Sequence, residues 1–439
     1  MLIVLERVLN EMKKRTVVSL FSSAGIGELG ISKDEFEILV SNEIVENRHK
    51  LYKLNYPETT AITGDIWSNR ENIINEFRKK SDEEPFLIYA TPPCQGMSSN
   101  GAGRLMHEIR KGTRLPGDER NRLIIPTLDI ICELKPKWIL LENVPNMQNT
   151  IIEDETGEYI NIIDYIKKRL GNEYIGKPEV VNCADYGIAQ TRRRLITIFT
   201  KTESGIKYFN EHQTFIPNKT HSQKEEKDTL PWVTIKDVIG TFPPLDSRIG
   251  CNERKDFHPC HHVQVLSDER YWWVSNTPAN ETAFSNQCCN PECMYQENQR
   301  HGSFIRNGIH ISKDETPIYC EKCGQLLPRP SIIDKKTGVR RIIKGFDSAF
   351  RRMSWDEPSA TLTQNMIFES SDKKLHPEQN RVLSIYEGLV IQTISDYEYK
   401  FEINGVEIPR NLYAEIIGES VPPRLIEIIC KQIIEIEKK

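Results

Sequence analysis

Between Thr16 and Thr200 the chain alternates two kinds of apolar pattern. Seven short runs rich in β-branched and aromatic residues, at 16–21, 36–42, 58–63, 85–90, 137–143, 177–183 and 194–199, read as strands. Segments between them, such as 45–55 and 121–134, place apolar residues near helical spacing. Strands alternating with helices predict an α/β unit, a parallel sheet covered by helices on both faces. After Lys201 the rhythm stops. Residues 201 to about 345 are rich in His, Asn, Pro and Cys without a sustained period, which predicts a smaller, irregular domain. Beyond Gly345 amphipathic patterns return and close on 421–439, a helix with an apolar face and a basic last turn. The expected division is 1–205, 206–345 and 346–439, with the final helix packing back on the first unit.

Composition narrows the class. Hydrophobic residues at 38% and charged ones at 28% exclude a disordered chain, and 58 Lys and Arg against 63 Asp and Glu leave a net charge of -5. Any nucleic-acid footprint must therefore be local. The longest apolar stretch, 123–141, is broken by Asp129, Glu133, Lys135 and Lys137, so no membrane span is expected. Residues 1–15 carry their basic residues after the apolar part, the reverse of a secretory signal, and predict an amphipathic helix in a cytoplasmic protein. Reduced thiols are expected there.

Gly25, Gly27 and Gly30 follow the first strand with G-x-G-x-x-G spacing, and Glu43 ends the next strand. Such a loop lets backbone approach a nucleoside, and an acid at the second strand end can accept ribose hydroxyls. Asp65, after the third strand, can meet an adenine amino group or simply cap a helix. Cys94 lies just past the fourth strand, where open parallel sheets place their ligands, in a turn shaped by Pro92 and Pro93. A thiol acts as nucleophile only as thiolate, so an acid and cations on neighbouring strand ends matter. Glu142 and Asn143 end the fifth strand, and Gln190, Arg192, Arg193 and Arg194 precede the last. Strand alternation would point Arg192 and Arg194 together and Arg193 away.

Taken in order, LFSSAGIGELG, Glu43, GDIW, PPCQ, ENV, QTRRR and GESVPP resemble the blocks of the DNA cytosine-5 methyltransferase family over about 1–200 and 346–439. The resemblance implies a Rossmann-like S-adenosylmethionine-dependent fold, with Phe21, Gly25, Ile26, Gly27, Glu43, Ile44, Asp65, Ile66 and Pro92 around the cofactor. It implies Cys94 as nucleophile at cytosine carbon 6, Glu142 at ring nitrogen 3 and the exocyclic amine, and Arg192 at the base, with Arg194 and Gln190 organising the site. The target base must be flipped out of the duplex. The segment from Gly101 to Leu123, with six basic and three acidic residues, resembles the family's mobile loop, with Ser98 to Asn100 near the flipped position and Arg120 in its D-x-R. Ser19, Ser23, Met97 and Glu419 stand where the family usually has Asp, Gly, an aromatic residue and Asn.

In the family the segment before the penultimate block reads DNA sequence. Here it holds CCNPEC and YCEKCG, whose spacing suits a closed structural zinc site of Cys288 or Cys289 with Cys293, Cys320 and Cys323. His258, Cys260, His261 and His262 read as a polar loop rather than a ligand set. From Lys322 to Arg352 nine basic residues meet two acidic ones, a local +7 suited to phosphate contacts. RRMSWDEPSATLT resembles the penultimate block, whose Arg and Thr would touch the DNA backbone. The expectation is a DNA (cytosine-5-)-methyltransferase acting on double-stranded DNA. It is a monomer without membrane contact, the modification partner of a restriction endonuclease. Alternatives are a tRNA cytosine-5 methyltransferase, a nicotinamide-dependent oxidoreductase using the same glycine loop, and a silent DNA-binding module.

Overall fold

A computed structural model describes residues 14–93, 119–224, 226–306, 309–312, 315–343 and 348–439. Cys94, Met97, the segment Ser98–Asn100, most of the expected mobile loop and the expected N-terminal helix lie outside them. The first half is built from β1 (Arg15–Leu20), β2 (Phe36–Glu43), α1 (Glu46–Asn55), β3 (Thr60–Thr63), α2 (Ile66–Lys80), β4 (Leu87–Ala90), α3 (Ile124–Leu134) and β5 (Trp138–Asn143). A small hairpin of β6 (Ile151–Glu153) and β7 (Tyr159–Asn161) leads into α4 (Ile162–Leu170), β8 (Ile175–Asn182), β9 (Gln190–Thr191), β10 (Arg193–Thr200) and α5 (Glu203–His212).

Seven strands form one sheet in the order β3-β2-β1-β4-β5-β10-β8. The first five are parallel, as the alternating pattern predicts, but β10 runs antiparallel to both β5 and β8. A wholly parallel sheet is therefore not what forms. Only residues 183–192 join β8 to β10, too short for the crossover that parallel neighbours need. Period-two burial divides the sheet. Val18, Leu20, Ile88, Ala90, Ile139, Leu141 and Leu195 face α2, α3 and α4. Val17, Leu87, Tyr89, Trp138, Leu140, Ile196 and Ile198 face α5 and a late helix, Pro423–Glu437.

The rest of the described chain adds α6 (Ile235–Ile239), α7 (Asp268–Ser275), a hairpin of β11 (Ser331–Ile333) and β12 (Arg340–Ile342), β13 (Ser359–Ala360), α8 (Ile385–Ile391), α9 (Arg410–Glu419) and α10 (Pro423–Glu437). A third core joins Ala24, Ile26 and Leu29 of the glycine loop to α1, α6, α8 and α9. Phe209 and Phe215 pack beneath the sheet, and Ile235, Ile239 and Cys260 belong to that third core. Apolar residues between 206 and about 260 thus pack with the sheet, α1, α8 and α9. Ile235 and Ile239 sit on a helix too short to show a period, and Phe215 and Cys260 lie outside helices. The separate small core is Trp273, Ala283, Phe284, Ile318, Ile342, Ala349 and Phe350, with the cysteine-rich cluster beside it. Among the described residues no helix is long and apolar enough to cross a membrane.

Candidate active site

The carboxyl ends of β4, β5 and the start of β10 meet at one edge of the sheet. Glu142, in the last turn of β5, is 7% exposed, and its Oε1 accepts from Arg194 Nε at 2.8 Å. Burial pushes the Glu142 carboxyl above its ordinary range, and Arg194 and then Arg192 oppose that rise. A buried acid so balanced can hold or release a proton against a polar ring. Asn143 Nδ2 donates to the Pro92 carbonyl at 3.0 Å, and Thr91 Oγ1 donates to the Phe21 carbonyl at 3.0 Å. The chain entering Cys94 is thus tied to the strand ends on both sides. Cys183 is a described thiol close to Arg192, Arg194 and Glu142. Burial drives it up to about 11 despite Arg192 and Arg194, the wrong direction for a nucleophile.

Arg192 and Arg194 both bear on Glu142 while Arg193 is exposed, but they do different things. Arg192 is fully buried in the link between β9 and β10, and donates to the carbonyls of Leu362 at 2.8 Å and Gly418 at 3.0 Å. Gln190 Oε1 accepts from Leu362 N, and its Nε2 donates to Gln392 Oε1, which in turn holds Ser420. β9 pairs with β13 in parallel. The QTRRR block therefore clamps the 359–363 and 418–420 segments, and Arg194, not Arg192, is the arginine ion-paired with Glu142. Nothing in the local sequence marks Leu362 or Gln392 as partners. Arg192→Met is expected to lower unfolding stability by about 3 kcal/mol, since two charged hydrogen bonds are lost from the interior. Arg194→Met strips the partner from a buried carboxylate, so it should also cost about 1–3 kcal/mol, but its main effect should be on turnover, a contrast read by denaturant unfolding beside a transfer assay.

Glu43 ends β2 with its Oε2 accepting from Ser23 N at 2.8 Å and its Oε1 from Val45 N at 2.7 Å. Ile44 beside it is 64% exposed, and Asp65 caps α2 by accepting from Trp67 N while its side chain stays exposed. An acid for a diol, an apolar face for a planar base and a second acceptor for an amine line two adjacent strand ends, those of β2 and β3. These groups fit an adenosyl moiety. Ile66, the first residue of α2, is buried against the sheet. The glycines serve packing as well. Gly25 has φ +80° and lies where any Cβ would strike the Tyr56 ring at 2.4 Å, and at Gly30 a Cβ would be 2.1 Å from the Pro423 carbonyl of α10.

The family model described as C-5 cytosine-specific DNA methylase matches residues 15–435. The chain belongs to that family. It is 30% identical over 436 residues to the type II methyltransferase M1.HgaI of Avibacterium volantium, covering 96% of this chain and 99% of that protein. It is 24% identical over 420 residues to the type II methyltransferase M1.HphI of Haemophilus parahaemolyticus, covering 96% and 87%. A prophage protein of E. coli assigned as a DNA modification methyltransferase shares the fold, with a TM-score of 0.57 at 17% identity over 97% of this chain and all of that one.

Against the family pattern, the methylase compensates locally. Ser19 replaces an Asp, and its Oγ donates at 2.5 Å to Glu28, which burial raises to about 7. Ser23 replaces a Gly and still takes the left-handed region, φ 49°, with its N–H held by Glu43. Glu419, in place of Asn, pairs with Arg48 at 2.6 Å. Because the folded pKa of Glu28 lies above its ordinary 4.5, its contribution to stability is present below pH 4.5 and lost as pH rises through about 7. Glu28→Gln keeps an acceptor for Ser19, so it should match the parent near pH 4 and be more stable by roughly 3 kcal/mol above pH 7. Unfolding at both pH values checks this.

Farther along the chain, the sulfurs of Cys288, Cys293, Cys320 and Cys323 lie within 4.8 Å of one another and could hold a metal ion. Cys289 is outside the group, which resolves the choice between it and Cys288. His261 is spent on Ser384 and the Pro243 carbonyl, His258 stacks on Tyr386, and Cys260 meets Tyr413, so this group is a polar loop. The basic stretch departs from expectation. Arg329 donates to the carbonyls of Asn286, Gln299 and Pro317, and Arg352 to those of Val274, Thr277, His376 and Gln379, both buried and drawn down to about 10 by desolvation. Arg340 pairs with Glu269 and Arg341 with Asp334, while Lys322, Lys335 and Lys336 are exposed and Lys344 and Asp347 lie outside the described residues. Two of the nine charges thus hold the fold together, and Arg352 is not placed to touch a DNA backbone.

Proposed function

We propose that the protein methylates carbon 5 of cytosine in one short double-stranded DNA sequence, using S-adenosylmethionine, a flipped base and a transient bond from Cys94 to carbon 6. It acts as the modification enzyme of a restriction system, a cytoplasmic monomer paired in function with an endonuclease. The observation that carries the reading is the buried Glu142–Arg194 pair at the carboxyl edge of the sheet, beside the anchored entry to Cys94. Type II methyltransferases similar over nearly the full chain support the restriction setting.

The target cytosine leaves the stack at a cost of a few kcal/mol and enters this edge. Cys94, as thiolate, adds to carbon 6. Glu142 hydrogen-bonds ring nitrogen 3 and the exocyclic amine, selecting cytosine and neutralising the electron density that addition pushes onto the ring. Arg194 steadies that carboxyl and reaches the base, the role the resemblance gave to Arg192, while Arg192 and Gln190 position the surrounding segments. Bound S-adenosylmethionine supplies an electrophilic methyl for carbon 5. Its ribose would meet Glu43 and its adenine Ile44 and Asp65, with Phe21, Ile26, Ile66 and Pro92 shaping the cleft. Loss of the carbon 5 proton to water then expels the thiolate.

Cys288, Cys293, Cys320 and Cys323 would hold one structural zinc ion. Four sulfurs at about 2.3 Å from a tetrahedral centre lie about 3.8 Å apart, and the pairs Cys288–Cys323 and Cys293–Cys320 stand at 3.7 and 3.9 Å. Incubation with tritiated S-adenosylmethionine and plasmid DNA, followed by bisulfite sequencing, tests the whole reading. Protected cytosines in one recurring context are expected. Methylation of tRNA in place of duplex DNA would overturn the substrate.

A further inference from the structure

The run 331–342 carries four basic residues against one acidic one, in a chain whose net charge is -5. It folds as the β11–β12 hairpin, in which Ser331 lies opposite Ile342, Ile332 opposite Arg341 and Ile333 opposite Arg340. Opposite partners of an antiparallel pair share a face, so Ser331, Ile342, Ile333 and Arg340 form one side and Ile332 and Arg341 the other. The first side turns inward. Ser331 and Ile342 are buried, Ile342 within the small core of Trp273 and Phe350, and Arg340 farther out pairs with Glu269 of α7 at 2.6 Å. The strand enters from Leu327, which packs on Cys288 and Cys320, so the stem is rooted on both the small core and the thiol cluster.

The second side has no such cover. Asp334 N donates to the Val339 carbonyl, which places Val339 on this side with Ile332, and the two are 63% and 41% exposed. Between them Arg341 Nε donates to Asp334 Oδ2 at 3.1 Å. The tip is a fixed turn. Asp334 Oδ1 accepts from the N–H groups of Lys336 and Thr337, and its carbonyl accepts from Gly338, whose φ is +67°. Lys335 and Lys336 stand exposed on that turn, and neither pairs with an acid among the described residues. Free ammonium groups at a tip, above a bare aliphatic face, complement a groove with anionic rims and methyl groups on its floor. The major groove of B-DNA is such a groove, and at about 12 Å wide it admits a two-stranded ribbon.

We propose that the β11–β12 hairpin enters the major groove of the duplex substrate, with Lys335 and Lys336 on phosphates at the rim and Ile332 and Val339 against base edges. Aliphatic side chains there can read the methyl group of thymine, which no other base of the duplex presents before methylation. The proposal rests on the reading that duplex DNA is the substrate and gives that reading its specificity-determining residues.

The test is binding of the full chain by fluorescence anisotropy at several salt concentrations, on a duplex carrying the context that bisulfite sequencing defines and on a scrambled duplex. Lys335→Ala with Lys336→Ala should weaken binding to both duplexes by a similar factor and flatten the slope of log affinity against log salt by about 2. Ile332→Ser with Val339→Ser should weaken the specific duplex roughly tenfold and leave the scrambled one within about twofold. Melting temperature and S-adenosylmethionine affinity should match the parent in both variants, since all four side chains are exposed. An unchanged salt slope in the lysine variant, or a serine variant that loses affinity equally on both duplexes or on neither, would overturn the proposal. A parent chain that binds neither duplex more tightly than tRNA would instead sink the substrate reading, and the hairpin's role with it.

Discussion

Replacing Cys94 with Ser is expected to end measurable methyl transfer while leaving S-adenosylmethionine affinity within about twofold, because the polar groups proposed for its ribose and adenine, Glu43 and Asp65, lie at the end of β2 and the start of α2. A hydroxyl is a far weaker nucleophile than a thiolate at neutral pH. Cys183, the neighbour of Glu142, is fully buried and raised to about 11. Glu142→Gln should be less severe, a loss of about 10²- to 10⁴-fold. Gln can still hydrogen-bond the ring but cannot lend a proton. DNA carrying 5-fluorocytosine, whose carbon 5 has no proton to lose after transfer, should trap a covalent complex with the parent and none with Cys94→Ser. A trapped complex with the serine variant would remove Cys94 from this role.

The second large effect is expected from the thiol cluster. Metal analysis should find one zinc per chain, and Cys320→Ser or chelation should lose it. Structural zinc contributes on the order of 10 kcal/mol in small domains, and here Cys288 and Cys320 are themselves core, packed with Leu327. The neighbouring core of Trp273, Phe284, Ile318 and Phe350 is small, so it has little else to hold it. Duplex DNA binding should therefore fall by orders of magnitude while cofactor binding persists, since the glycine loop packs on α1 and α10 instead. A metal-free chain with full DNA affinity would rule the site out.

How much of this was legible in the sequence differs from one feature to another for physical reasons. Strands β1 to β5 announce themselves by apolar runs that fill both faces of the sheet. The reversal of β10 does not, because a buried strand shows the same run in either direction and only the short link before it hints at the turn back. Glu142 and Arg194 could be foreseen as neighbours from their places at strand ends. Which arginine pairs with Glu142 could not, since Arg192 precedes the strand and its partners, Leu362 and Gly418, are more than 160 residues away in sequence. The thiol spacing CCNPEC with YCEKCG was sufficient, and the fold only chose Cys288 over Cys289. Charge counting misled at Arg329 and Arg352, because a sequence does not say whether a guanidinium faces phosphate or backbone carbonyls.

The seating of α10 against Gly30 bears on how the protein is made. Gly30 belongs to the first strand-turn of the sheet, and the Pro423 carbonyl that covers it is translated nearly four hundred residues later. Domains emerging from a ribosome tend to fold as they appear, but the wall that α10 gives this loop forms only once α10 has been synthesised and docked. A chain that has not yet reached α10 would therefore leave that side of the glycine loop uncovered, and the packing of the loop is completed only after the residues between Gly30 and Pro423 have been made.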